Sequence, residues 1–151
     1  MKSPAASKLI DRIAADCIAV RVRLINRVVT AIYDEALRPH GLRVSQANLL
    51  VGVARAGRAR PVDLCRALRI DKSTLSRDVE LLKRNGWLES DPPGGGRSQI
   101  LRLTAEGTAI LKRAEPDWNR AQEECGRLIG APGVDALRSI AERLGLGSAR
   151  D

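Results

Sequence analysis

The chain has 151 residues, enough for one domain with a real core and below the length at which chains usually divide. It holds no Phe, one Tyr and two Trp, so the core is expected to be aliphatic, and recognition of unpaired bases by aromatic stacking is disfavoured. A formal net charge of +8 points to a polyanionic partner, although a solvated basic face with no partner would give the same figure.

Where the charge lies is more informative. Residues 55–103 carry eleven Lys/Arg against six Asp/Glu, while residues 104–151 carry seven against eight. The three cysteines, Cys17, Cys65 and Cys125, are far apart and form no CxxC pair. With no basic-then-apolar opening and no apolar run long enough for a bilayer, a reduced cytoplasmic setting without membrane contact is expected.

Ser7 to Leu37 reads as one amphipathic helix, because Ile10, Ile13, Cys17, Val20, Leu24, Val28 and Ile32 step by three and four. Ile18, Ile25, Val29 and Tyr33 widen this stripe beyond what one small domain covers. At ~1.5 Å per residue the helix would be about 45 Å long, which exceeds a compact domain of this size and predicts self-association. Pro39 and Gly41 end it. A second helix is expected over Gln46 to Arg55, with Ser45 as N-cap and Leu49, Leu50 and Val53 inward. Ala56-Gly57 breaks it, and Arg58-Ala59-Arg60 is a basic link. Pro61 suits the first turn of a helix to Leu68 that would bury Val62, Cys65 and Leu68.

Asp71 is a good N-cap for the next helix, in which Leu75, Val79 and Leu82 define a buried face. The other face carries Lys72, Ser73, Thr74, Ser76 and Arg77, then Glu80, Lys83 and Arg84. Gly86 stands where helices end in a left-handed residue. Residues 87–91 and 98–103 read as two strands around the tip Pro92-Pro93-Gly94-Gly95-Gly96-Arg97. Two short helices, a turn and a hairpin make a winged helix-turn-helix. Thr104 then caps a helix with Glu106 in its first turn. Its apolar positions are Ile110, Leu111, Ala114, Trp118, Ala121, Cys125 and Ile129, with Pro116 as a candidate kink. After a break at Gly130-Ala131-Pro132-Gly133, Val134, Leu137, Ile140, Ala141 and Leu144 mark a last amphipathic helix.

Enzymatic chemistry finds little support. His40 is the only histidine, so neither a His-based triad nor a multi-histidine metal site can be built. No phosphate-binding G-x-x-x-x-G-K-[ST] occurs, and Gly94-Gly95-Gly96 lies between strands, where it reads as a hairpin tip. Glu123-Glu124 reads as a solvated helix face. No enzyme, cofactor or metal is expected. The helix from Lys72 carries the positive signal. Hydroxyls and Arg at its N-terminal end match the part of a helix-turn-helix that enters the major groove, where Arg holds guanine through two contacts. The plainer alternative is that Ser73 and Thr74 only cap the helix while Arg77 pairs with Asp78 or Glu80. Arg97 is expected in the adjacent minor groove, and Arg58 and Arg60 on phosphate.

The chain resembles the MarR family of winged-helix transcriptional regulators. The likeness rests on Gly41-Leu42-Arg43-Val44-Ser45-Gln46, Pro61-Val62-Asp63-Leu64, Asp71-Lys72-Ser73-Thr74-Leu75-Ser76-Arg77, Leu81 through Leu88, and Leu103-Thr104-Ala105-Glu106-Gly107. It implies a mainly α fold with a small β-hairpin wing. The winged helix-turn-helix, residues 42–103, would be flanked by N- and C-terminal dimerisation helices, 7–38 and 104–146, in one domain spanning 1–151. It further implies a homodimer acting, usually as a repressor, on a pseudo-palindromic operator in double-stranded DNA. Ser73, Thr74, Ser76 and Arg77 would face the major groove, Arg97 would be the wing arginine, and a small lipophilic or phenolic effector would bind between the dimer helices and the winged part. Family wings often place an acidic residue shortly before that arginine; three glycines stand there instead. Some relatives sense peroxides through a cysteine near the start of the first helix, where Cys17 lies; here it sits on the apolar stripe without the aromatic partners expected around it. Two readings stay open beside the regulator: redox sensing through Cys17, and a winged-helix adaptor whose basic face meets an acidic protein.

Overall fold

A computed structural model describes residues 4–91 and 99–145. Its elements in chain order are α1 (Pro4–Asp16), α2 (Ile18–Leu37), a 3-10 turn (Arg38–His40), α3 (Val44–Ala56), α4 (Pro61–Leu68), α5 (Lys72–Arg84), β1 (Leu88–Asp91), β2 (Ile100–Leu103), α6 (Ala105–Ile129) and α7 (Ala131–Arg143). The expected single first helix is in fact two. Cys17, at φ −66° and ψ 110°, interrupts it, although its amide still bonds Ile13 and its carbonyl still accepts from Arg21. Neither Pro nor Gly causes this break. The β-branched Ile18, Val20 and Val22 that follow it are exposed and already helical, within α2. Apolar periodicity reports a shared face, not an unbroken backbone.

The core sits in the middle of the chain and is aliphatic, as the composition predicts. Leu37, Leu42, Leu49, Leu50, Val53, Leu75, Leu82 and Leu101 are fully enclosed, and Leu64, Leu88 and Ile110 pack with them. Each such side chain contributes about 1.5–3 kcal/mol by leaving water. α3 begins at Val44, two residues before the expected start, and Ser45 is not its cap. The Val44 amide donates instead to Asp34 Oδ1 on α2 at 2.7 Å, and the Arg43 amide donates to the Gln46 side chain at 3.1 Å. On α4 the inward residue is Leu64, with Cys65 and Leu68 half-buried, while Val62, expected inside, is 59% exposed. One proline-initiated turn sets the helix phase, and it places Leu64 toward α3.

β1 and β2 pair antiparallel, Leu88 opposite Leu103 and Asp91 opposite Ile100. The Arg58-Ala59-Arg60 link is more than a link. Ala59 bridges Leu101, with amide-to-carbonyl bonds of 3.0 and 2.8 Å, and is buried. α6 starts as expected: Thr104 accepts from the Gly107 amide at 2.9 Å, and its hydroxyl donates to the Gly86 carbonyl at 2.7 Å. A side chain at Gly107 would collide with the Trp87 carbonyl, so glycine is what lets α6 rest on the turn between α5 and β1. α6 runs through Pro116 as one element. The break after it is Gly130 alone, since Pro132 and Gly133 lie in the first turn of α7, where a missing proline amide costs nothing. α2 packs along α6, and α7 folds back on α6.

Candidate nucleic-acid interface

α4 and α5 meet through the turn Arg69-Ile70, where Arg69 adopts the left-handed region, φ 54° and ψ 41°. α5 then buries Leu75, Val79 and Leu82 as predicted, so the phase of its outer face is fixed. Its C-terminus closes with the Trp87 amide on the Leu82 carbonyl and the Gly86 amide on the Lys83 carbonyl, both at 2.9 Å. Gly86, at φ 74°, occupies the left-handed position that this double closure requires. Lys72, Ser73, Ser76 and Arg77 are exposed on that outer face, and Thr74 is half-buried.

Asp71 organises the first turn. Its Oδ1 accepts from the Thr74 amide at 2.8 Å and from the Ser73 hydroxyl at 2.5 Å, and its Oδ2 accepts from the Thr74 hydroxyl at 2.7 Å. The Ser73 hydroxyl, the Thr74 amide and the Thr74 hydroxyl together hold the Asp71 carboxyl well below the usual carboxylate range. Arg77 reaches back one turn, Nε to the Ser73 carbonyl at 3.3 Å and Nη2 to Ser73 Oγ at 3.4 Å, and does not pair with Asp78 or Glu80. Glu80 faces Lys83 instead, at 3.8 Å. The capping reading of Ser73 and Thr74 is therefore true, yet it leaves the Arg77 fork committed only to two long contacts. Among the described residues Lys72 and Ser76 have no side-chain partner.

Arg58 and Arg60 flank the buried Ala59, so both point away from the core beside β2, and both are exposed. Arg60 also starts α4, its carbonyl accepting from the Asp63 and Leu64 amides. Across the hairpin Arg102 faces Asp91 at 3.4 Å. Arg97 and the three glycines before it lie outside the described residues. The structure thus brings five of the seven predicted contact residues together on α5 and places Arg60 on the strand-like segment that edges the wing.

Sequence reasoning missed a set of joints on the other side of the head. His40 Nε2 lies 2.6 Å from Asp117 Oδ2, and Arg120 reaches the other Asp117 oxygen. The His40 bond is the main reason that Asp117 titrates below its ordinary value. Tyr33 bonds Gln122, and its ring sits 6.4 Å from that of Trp118. Nothing in the sequence links residues 77 positions apart. Beside these joints a cavity of about 290 Å³ opens between α2, α3 and α6, walled by Leu37, Ala47, Val51, Leu111, Ala114 and Trp118. Cys17 stands at the α1–α2 break and lies outside the core, whereas Cys125 is buried, which raises its thiol above the ordinary range. Among the described residues no group of His, Cys, Asp and Glu could hold a metal, and no helix is long and apolar enough to cross a membrane.

Comparison with known proteins agrees with this layout. Residues 40–98 match the model of the MarR family. The multiple antibiotic resistance protein MarR of Escherichia coli is 27% identical over 110 residues, which is 72% of this chain and 69% of that protein. The chain spans 65% to 69% of the length of the MarR relatives it matches. Among solved structures, a cysteine-to-serine mutant of MarR from E. coli complexed with operator DNA superposes with a TM-score of 0.75 at 22% identity, covering 88% of this chain and 96% of that one. The M. tuberculosis transcriptional regulator MosR gives 0.72 at 25% identity, over 87% and 96%. The motif-bearing segment 40–98 is thus similar to the MarR family of winged-helix regulators, and the fold is shared with solved structures of such regulators over most of the chain.

Proposed function

We propose that the protein is a sequence-specific regulator of transcription, not an enzyme, that binds double-stranded DNA as a homodimer and represses from a pseudo-palindromic operator. The observation that carries this is α5: a rigidly capped helix with Lys72, Ser73, Ser76 and Arg77 on its open face. The shared fold with a MarR–operator complex supports it. In this reading Ser73, Thr74, Ser76 and Arg77 meet base edges, Lys72 and Arg60 neutralise phosphates, and Arg97 extends the contact from the wing. Residues 42–103 read DNA; residues 7–38 and 104–146 hold two copies at one spacing. The exposed apolar side chains of α1, α2 and α7, including Ile10, Ile13, Leu24, Leu137 and Ile140, support that seam. The 290 Å³ cavity, mostly apolar with Asn48, Lys112 and Glu115 at its edge, supports release by a small lipophilic or phenolic effector.

Selection of bound duplexes from a random pool tests the core of this reading. Two half-sites about one helical turn apart are expected. Equal affinity for arbitrary duplexes, or a protein that stays monomeric, would replace it with the adaptor reading.

A further inference from the structure

A serine or threonine hydroxyl has one proton and two lone pairs, so it can meet a base as donor or as acceptor. At the start of α5 that choice is already made. The ionised Asp71 has no proton to give. Ser73 Oγ, 2.5 Å from its Oδ1, and Thr74 Oγ1, 2.7 Å from its Oδ2, must both be the donors. Arg77 Nη2 takes one Ser73 lone pair at 3.4 Å. What these two hydroxyls have left for a partner is acceptor capacity only.

Resting on the DNA-reading function proposed above, we infer that Asp71 is a positioning residue that makes Ser73 and Thr74 acceptor-only readers. They then favour base edges that present an amino group, N6 of adenine or N4 of cytosine. They disfavour edges that present only acceptors at the same point, O6 and N7 of guanine or O4 of thymine. The same carboxylate fills the anion-attracting end of α5, so backbone phosphates are left to cations elsewhere, such as Arg60. The selectivity of this turn is therefore set by a residue that touches no base.

Asp71→Asn separates this from a merely structural role, because asparagine caps a helix about as well as aspartate. Its carbonyl, in the place of Oδ1, keeps the Thr74 amide and the Ser73 hydroxyl. Its amide, in the place of Oδ2, becomes a donor to Thr74 Oγ1 and turns that hydroxyl's proton outward. Duplex selection is run on the wild type, Asp71→Asn, Thr74→Val and Ser73→Ala, with thermal unfolding as the check on folding. The position read by Thr74 is the one whose preference flattens in Thr74→Val. There the wild type is expected to prefer adenine or cytosine, and Asp71→Asn guanine or thymine, a change in relative affinity of roughly tenfold. The position that flattens in Ser73→Ala keeps its preference in Asp71→Asn. Loss of a negative charge raises binding to every duplex alike and cancels in these ratios.

Several outcomes overturn the inference while leaving the regulator reading intact: guanine or thymine preferred by the wild type at the Thr74 position, no position that flattens in Thr74→Val, or a base preference unchanged by Asp71→Asn. A wild type that enriches no sequence at all overturns the regulator reading itself. Should Asp71→Asn fail to fold, the comparison of wild type with Thr74→Val still decides between amino-bearing and acceptor-only edges.

Discussion

The winged middle of the chain and its helical ends are built from the same aliphatic residues and dispose of them in opposite ways. In the middle, Leu75 is 2% exposed and Leu82, Leu50 and Leu101 are fully enclosed. At the ends, Ile18 is 77% exposed and Leu128 62%, and the residues on the periodic stripe of α1 and α2 stay open along most of its length. A reading head that must present one rigid face to a ligand completes its own core. Ends that leave this much apolar surface open are complete only against another surface, which the proposed homodimer supplies. The chain's own core and its proposed self-association surface are therefore lodged in different places.

The sharpest way to break this contrast is to make cavities in one region and insert charges in the other. Leu82→Ala should cost about 2–5 kcal/mol, measured by denaturant unfolding, because the enclosing side chains close only partly around the lost volume. Ile18→Asp and Leu128→Asp should leave the unfolding of a single chain within about 0.5 kcal/mol, as exposed substitutions do. They should nevertheless weaken self-association by at least about 3 kcal/mol per dimer, since a carboxylate would be buried in an apolar seam. Sedimentation at several concentrations reads that loss. Dimers that survive both substitutions would place the seam elsewhere.

Within the head, the contrast lies between reading and holding. Arg77→Ala should weaken operator binding by about 1–3 kcal/mol and relax base preference, because its fork, resting on Ser73, is free to take a guanine edge. Arg60→Ala should weaken binding to all duplexes alike and lower the salt dependence by about one unit of slope. Titrations of operator and scrambled duplexes at several salt concentrations separate the two. A uniform loss in Arg77→Ala would move it to the phosphate class.

The head was the more legible region, for a physical reason. Its signals are local: a cap with its helix, an apolar face repeating every turn, a glycine where a left-handed residue is needed. Asp71, Leu75, Val79, Leu82 and Gly86 all take the positions that such rules assign. Failures arose where a distant residue decides. In sequence Ala59 looks like part of a link, because its partner, Leu101, lies far along the chain. Val62 faces outward although the sequence suggests a buried position, because a helix as short as α4 has too few turns to fix its phase from sequence. The break at Cys17 is not legible because nothing in the sequence at that point forbids a helix. The site was legible as a set of residue types on one face, while the hydrogen-bond direction within it was not.

The smallest expected effect concerns the joint between head and ends. Ser45 has the residue type of an N-cap, yet it lies inside α3 and makes no cap bond, and the first amide of α3 is satisfied by Asp34, ten residues upstream on α2. A cap delivered from another helix does what a local serine would do for the backbone. It also ties the end of α2 to the first helix of the head. Asp34→Ala should therefore cost about 1 kcal/mol, the usual worth of a lost cap. Ser45→Ala should stay within about 0.5 kcal/mol, as a substitution away from any such feature does. Hydrogen exchange sharpens the test: in Asp34→Ala, protection should fall at the start of α3 and persist in α5. A larger loss in Ser45→Ala than in Asp34→Ala would return the cap to the serine, and the head would then be joined to the ends chiefly through α6, by Thr104 on the Gly86 carbonyl.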